Sequence, residues 1–160
     1  MTEMDDLHAT LRHQRAHVLS TLEGLDDDQL SREVLPSGWS AAQMVRHLAY
    51  DVECFWFLEV FAGQSVERPV GPRAGWTLAP GDAAHTMIER YVEQCALADE
   101  VIATHGAEDL PAAWPDVFGS WRLENLREMM LHVITETACH AGHLDATREL
   151  IDGHQSFVID

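Results

Sequence analysis

The sequence predicts an all-α protein, a four-helix bundle with long irregular loops between helices 2 and 3 and between helices 3 and 4. Three observations support this prediction. Four long segments carry apolar residues at helical spacing, capping residues bound these segments, and no segment alternates as a strand does. Four such helices bury their apolar faces against one another. With 160 residues and no internal repeat, we expect residues 1–160 to form a single domain.

The composition argues against two classes of partner. The chain has 27 acidic and 10 basic residues, a formal net charge of −17, and no basic cluster. Such a surface repels phosphate backbones and anionic lipids, so we expect neither a nucleic acid nor a membrane as partner. The acidic N-terminus does not resemble a signal peptide, and the three cysteines are too few for a disulfide framework. We therefore expect a cytoplasmic protein.

The first helix is predicted over about residues 3–25. Its apolar stripe contains Leu7, Leu11, Val18 and Leu22. His13 and His17 are four residues apart, which is also the spacing of metal ligands on a helix. Both histidines fall off the apolar stripe, so we predict that they are solvated surface residues.

The second helix is predicted to begin after Ser40 and to run to about Ala62. Ser40 is a good N-cap, and Gln43 three residues later completes a capping box. The apolar stripe of this helix contains Met44, Leu48, Phe55 and Leu58. His47 and Asp51 lie four residues apart inside that stripe. Trp56 is predicted to face away from the stripe, toward a partner or another helix.

Two long loops are predicted on either side of the third helix. Residues 64–80 are rich in proline and glycine, and Trp76 in their middle needs cover, so we expect this loop to fold over an end of the bundle. The third helix is predicted over about residues 82–104, with Asp82 as its cap. The aromatic residues between 106 and 124 are expected either to line a substrate pocket or to seal the bundle end.

The fourth helix is predicted between the N-cap Asn125, with Glu128 completing a capping box, and Gly153 as its stop. Its apolar stripe contains Leu126, Met129, Val133, Leu144 and Ile151. The spacing of these residues predicts one long helix with a single apolar face.

Three polar residues share the core-facing side of this fourth helix. Glu136, His140 and His143 are four and three residues apart, and their face overlaps the apolar stripe. A carboxylate and two imidazoles aimed at a core need partners, and a divalent metal ion suits all three. His47 and Asp51 supply further donors from the second helix. This combination favours a metal site over a core histidine bonded to a backbone carbonyl.

Two stretches of the sequence carry a family likeness. The first contains Gly38-Trp39-Ser40, Met44, Arg46-His47-Leu48, Val52-Glu53 and Trp56-Phe57. The second contains residues 131–134, 136–145 and 148–153. On these residues the chain resembles the DinB/YfiT-like superfamily of metal-binding four-helix bundles. The likeness is strongest to its actinobacterial branch, which is similar to mycothiol-dependent enzymes.

The resemblance implies a set of metal ligands. Superfamily members bind one divalent metal through a histidine near the start of the second helix, which matches His47. The other two ligands lie four residues apart on the last helix and match Glu136 and His140. His143 is then a neighbour of the ligands, a proton shuttle or a fourth ligand. Characterised relatives use the metal to activate a low-molecular-weight thiol such as mycothiol or bacillithiol.

Two imidazoles and one carboxylate leave an open coordination position on zinc, which can bind water or a thiol. The leading prediction is therefore a metal-dependent thiol S-transferase of the mycothiol type. The alternatives are a metal-dependent hydrolase and a non-catalytic bundle that binds a metal or a small molecule. Zinc is the first choice for the metal, and nickel and iron also fit this donor set.

Three further residues are candidates for a role in catalysis. Asp51 is placed to orient His47, because ligating imidazoles usually donate their other N–H to a carboxylate or carbonyl. His143 and His132 are each one turn from a predicted ligand, and each is either an acid–base group or packing. The expected partner is a small-molecule substrate, including a low-molecular-weight thiol, and a homodimer is left open.

Overall fold

The computed structural model describes residues 2–71, 73–79 and 81–156. These residues form helices and loops without a β-strand, which confirms the predicted all-α class. The helices are α1 (Glu3–Leu22), α2 (Asp27–Leu30), α3 (Ala41–His47), α4 (Thr86–Ala103) and α5 (Leu126–Asp152). Helix α3 continues as a π-helix over Leu48–Phe61, and 3-10 turns occupy Ala74–Trp76 and Asp116–Phe118. The single-domain organisation stays a prediction.

Four long helices build the bundle, and α2 is a short addition between the first two. Helix α1 packs on α5, and the π-helix packs on α4 and α5. The largest fully buried apolar side chains come from all four: Leu11, Val18, Met44, Leu48, Phe57, Tyr91, Leu126, Met129, Met130 and Leu144. Among the described residues, no helix combines the length and apolar character needed to cross a bilayer.

The helix ends agree with most of the predicted caps. Ser40 caps α3, and Gln43 closes the predicted capping box. The Asn125 side chain accepts a hydrogen bond from the amide of Glu128 at the start of α5, and Gly153 ends α5 with a positive φ of 80°. The predicted capping box of Glu128 is wrong, because its side chain accepts a hydrogen bond from the amide of Glu124, at 2.7 Å, instead of from the amide of Asn125.

Helix α4 begins four residues later than predicted. Asp82 does not cap it, because the Asp82 side chain accepts the amide of Ala79 at 3.0 Å. His85 occupies the N-cap position, and both its amide and its Nδ1 lie 2.9 Å from Asp27 Oδ1. This tie between His85 and α2 holds the preceding residues in turns, so the helix starts only at Thr86.

The π-helix is deeply buried in the bundle. Ten of its 14 residues are buried, which is more than one face of a helix can supply. At its end the Ala62 amide donates to the Phe57 carbonyl at 3.0 Å, the i→i+5 pattern of a π-helix. Such wide turns are rare and occur frequently at functional sites. The element therefore carries polar as well as apolar side chains into the core.

Of the two histidines predicted to be solvated on α1, only one is exposed. His13 is exposed, whereas His17 is half-buried with its Nε2 3.0 Å from Asp145 Oδ1 of α5. Thr21 also donates to Asp145 Oδ1, at 3.1 Å. The prediction for His17 is wrong because α1 packs along α5, and this face of α1 lies at their contact.

A buried ion pair joins α1 to the π-helix. The Arg15 guanidinium donates from Nε and Nη2 to the two carboxylate oxygens of Glu53, at 2.7 and 2.6 Å. Its Nη1 donates to Asp99 of α4 at 2.5 Å. Burial opposes the charged form of Arg15, but the charge and hydrogen bonds of Glu53 outweigh it and raise the pKa of Arg15. Both charged groups of the pair have hydrogen-bond partners, as buried charges require.

We predict that Glu53→Gln destabilises the protein by about 3–5 kcal/mol, because it leaves the buried Arg15 charge without its main partner. The matched control is Glu93→Gln, which breaks an exposed pair with Arg90 and should change stability by less than about 1 kcal/mol. Urea unfolding followed by circular dichroism measures both. Equal losses in the two variants would contradict the assigned importance of the buried pair.

Candidate metal centre

Two helices bring three donor side chains to one point. His47 is the last residue of α3, and Glu136 and His140 lie one turn apart on α5. Each offers one ligand atom, and these atoms all lie within 4.8 Å of one another. His140 Nε2 lies 3.8 Å from Glu136 Oε2, and the rings of His47 and His140 are 4.9 Å apart between centroids. A single cation placed among them would be within reach of all three.

Asp51 holds the ring of His47. Its Oδ2 lies 3.0 Å from His47 Nδ1, across the junction of α3 and the π-helix. This contact fixes the ring orientation and leaves Nε2 of His47 as the nitrogen free for another partner. The contact has the geometry expected of a carboxylate that supports a ligating imidazole.

The surroundings of His140 keep its ring neutral. Burial, together with the charges of His47 and His143, lowers the pKa of His140 to about 4. A neutral imidazole is the form that binds a metal, so no proton has to be displaced at neutral pH. The buried Nδ1 atoms of His140 and His143 have no hydrogen-bond partner among the described residues. Buried polar atoms left unpaired are unusual, and they are consistent with a site built to receive another group.

An aromatic stack covers His47. The Trp76 ring lies 4.1 Å from the His47 ring at an interplanar angle of 17°, and Trp39 stacks on the other face of Trp76 at 4.3 Å. Trp76 ends the 3-10 turn that begins at Ala74. Trp76 is thus covered, as expected, and the loop reaches the candidate site itself; that the loop folds over an end of the bundle stays a prediction.

Gly75 allows that close approach. A Cβ atom at this position would stand 1.8 Å from Asp51 Oδ2, far inside van der Waals contact. Arg73, two residues before Gly75, has a φ of 62°, a conformation that non-glycine residues rarely adopt. Backbone strain of this kind tends to occur where the surrounding structure needs a particular path, often at functional sites. The absence of a side chain at Gly75 thus lets the turn close on the carboxylate that holds His47.

The two other candidate histidines occupy different surroundings. His143 is half-buried, with its ring centroid 5.5 Å from that of His140 and 6.4 Å from that of Trp39. His132 lies in an aromatic cluster, 4.9 Å from the Trp56 ring and 5.6 Å from the Trp121 ring. Burial lowers the pKa of His132, and the Glu136 carboxylate opposes this shift. His143 therefore borders the three converging residues, whereas His132 belongs mainly to the packing around Trp56.

Two cavities lie on either side of His47 along its helix. The polar cavity, of about 160 Å³, is lined by Ser37, Gly38, Trp39, Gln43, Arg73, Trp76 and Thr77. The apolar groove, of about 290 Å³, is lined by Asp51, Phe55, Trp56, Arg68, Val117 and Phe118. Neither cavity was predicted from the sequence. A signal was present, because Gln43, His47, Asp51 and Phe55 follow one another at intervals of four residues.

One comparison with known proteins gives a match. The family model described as mycothiol-S-transferase matches residues 6–153. The match confirms the resemblance to the DinB/YfiT-like superfamily. The matched range contains His47, Glu136 and His140, both cavities and all four long helices except the first residues of α1. Searches of curated proteins and of solved structures found no match.

We predict that Gly75→Ala displaces the 3-10 turn, because the new methyl group overlaps the Asp51 carboxylate. The variant should lose the exciton signal of the stacked Trp39–Trp76 pair in circular dichroism and about 1–3 kcal/mol of stability. The control is Gly106→Ala, where a Cβ would make an ordinary contact at 3.8 Å and should change stability by less than about 0.5 kcal/mol. An unchanged exciton signal in Gly75→Ala would show that the turn does not depend on this contact.

Proposed function

The chain belongs to the mycothiol S-transferase family, and from this we propose that it is a metal-dependent enzyme that transfers a low-molecular-weight thiol to an electrophilic substrate. The observation that carries the proposal is the convergence of His47, Glu136 and His140, whose ligand atoms lie within 4.8 Å of one another. Apolar packing alone would not bring three donor side chains from two helices to one point. Their meeting within a transferase family supports a catalytic site.

The donor set fits a divalent metal ion. Two imidazoles and one carboxylate are the protein ligands of several catalytic zinc sites, which keep one position open. A divalent ion bound there would act as a Lewis acid and favour the deprotonated form of a thiol. Zinc is the first choice, and nickel and iron suit the same ligands. The unpaired, buried Nδ1 of His140 further supports a site that is completed by another group.

Other residues of the chain would prepare this site for chemistry. Asp51 would hold His47 in one orientation, with one ring nitrogen directed at the metal. Trp76 lies flat on His47 and would exclude water from one side of the site. Low exposure to water strengthens electrostatic interactions among the groups that remain. These contacts would make the thiol, rather than bulk water, the favoured partner of the site.

His143 is the proposed proton acceptor for the thiol. Its ring borders His140 and Trp39, and its Nδ1 is buried and available. An imidazole nitrogen can accept a proton from a nearby thiol, which suits general base catalysis. His132 is the weaker candidate, because its ring contacts Trp56 and Trp121 on the far side of Glu136.

A turnover assay tests the proposed function against its alternatives. The metal-loaded protein would be incubated with electrophilic substrates, with and without mycothiol, and again after treatment with a chelator. Thiol transfer that needs both metal and mycothiol supports the proposal. Hydrolysis without thiol would favour a metal-dependent hydrolase, and metal binding without any turnover would favour a non-catalytic bundle.

Two neighbouring histidines should differ in their effect on metal content. A helix rises about 1.5 Å per residue, so along the axis Glu136 and His140 are about 6 Å apart, and Glu136 and His143 about 10 Å. We predict that His140→Ala loses the metal and all activity. His143→Ala should keep the metal near full occupancy while turnover falls by about 10–100-fold.

Mass spectrometry of metal content measures this difference in variants purified in parallel without a nickel column. Circular dichroism must first show that both variants are folded. Loss of metal from His143→Ala with retention in His140→Ala would reverse the ligand assignment.

A further inference from the structure

We infer that the apolar groove beside Asp51 binds a neutral, planar apolar part of the electrophilic substrate. The inference rests on the proposed transferase function and adds a substrate class to it. A thiol transfer needs places for two molecules, one for the thiol and one for the electrophile. The two cavities that flank His47 differ in polarity, and this difference indicates which of the two molecules each cavity binds.

The groove and the proposed metal centre share one neighbouring side chain, Asp51. Asp51 lines the groove and also bonds His47 Nδ1 at 3.0 Å. Phe55, four residues further along the helix, lines the groove as well. A molecule lying on Phe55 and Asp51 would therefore have one end at the carboxylate that holds His47.

Aromatic rings form the walls of the groove. The Phe55 and Trp56 rings are 4.8 Å apart, and the Phe118 ring stacks on Trp56 at 5.5 Å with an interplanar angle of 21°. Val117 is 83 % exposed at the same groove. A planar apolar group placed here would stack on rings and remove Val117 from water.

The cation that lines the groove is already paired. Arg68 hydrogen-bonds to Glu59 through its Nε, and its guanidinium lies 4.8 Å over the Phe55 ring. A paired cation attracts an additional anion weakly, so this wall of the groove favours a neutral group over a carboxylate or phosphate. Arg68 then serves as a flat surface next to Phe55.

The other cavity has the opposite character. Gln43, Arg73 and Thr77 give it a polar lining next to the Trp39–Trp76 stack. Hydrogen-bonding groups of this kind suit a polar thiol, which leaves the aromatic groove for the electrophile. The electrophile would then approach from the Asp51 side of His47 and the thiol from the Gln43 side.

The transfer can be written with a probe electrophile, 1-chloro-2,4-dinitrobenzene. The sulfur of the mycothiol thiolate forms a bond to the ring carbon that carries chlorine. The carbon–chlorine bond breaks and chloride leaves with the bonding electrons. The proton of the thiol goes to a base, and no oxidant or reductant is needed.

The experiment compares Val117→Glu with the matched control Val92→Glu, which adds the same charge at an exposed position of α4. The unreactive probe 1,3-dinitrobenzene is titrated into each protein and followed by quenching of tryptophan fluorescence. A carboxylate at the groove should weaken binding by about tenfold, because an apolar ring would desolvate it, and Val92→Glu should bind as the wild type does. Metal content and circular dichroism should be unchanged in both variants.

Turnover of 1-chloro-2,4-dinitrobenzene with mycothiol distinguishes an error in the groove assignment from an error in the proposed function. We expect Val117→Glu to raise the Michaelis constant of the electrophile about tenfold and to leave that of mycothiol unchanged. Equal probe affinity in wild type and Val117→Glu would overturn the groove assignment, whatever the turnover. Weaker probe binding in Val117→Glu than in the wild type, combined with a wild-type protein that transfers no thiol to any electrophile, would overturn the transferase function. The bound group would then no longer be assigned as a substrate.

Discussion

Desolvation of polar side chains at the contact between α3 and α5 governs the centre of this protein. Two imidazoles and one carboxylate meet there: His140 is only 7 % exposed and His47 is half-buried, whereas the Glu136 side chain is still 40 % exposed. Imidazoles buried in this way lower the stability of a fold unless they find partners, and a cation shared with the Glu136 carboxylate would satisfy both of them. The depressed pKa of His140 shows the same constraint, because burial keeps the ring neutral and therefore ready to bind a metal.

The other features of the site follow from this contact. For Asp51 to face His47, the helix has to continue beyond the end of α3. This continuation, the π-helix, also carries a second carboxylate, Glu53, into the core. The Arg15 guanidinium compensates Glu53, so the π-helix can carry one acidic side chain to the site and another to the bundle interior. Gly75 then lets the loop turn close over the arrangement, and Trp76 covers His47. Stability and site geometry thus depend on the same wide helix.

Local patterns in the sequence were sufficient to predict much of this structure. Capping residues located the starts of α3 and α5, and helical spacing identified the buried stripes and the grouping of Glu136 with His140. The π-helix could not be predicted, because its hydrogen-bond register depends on tertiary packing rather than on local preference. The sequence also did not indicate that Glu53 is the partner of Arg15. Arg15 itself lies within the Leu11–Val18 stripe and could have been recognised as buried. Contacts between distant segments, such as Trp76 on His47 or Asp27 on His85, leave no periodic signal in the chain.

The most direct test of the account is anomalous X-ray diffraction from crystals of the protein loaded with zinc. The account predicts one strong anomalous peak between α3 and α5, with nitrogen and oxygen atoms of His47, Glu136 and His140 about 2.0–2.2 Å from it. A fourth position should be open toward His143 and the two cavities. A peak coordinated by other residues, or no peak near these three side chains in a fully loaded crystal, would contradict the account.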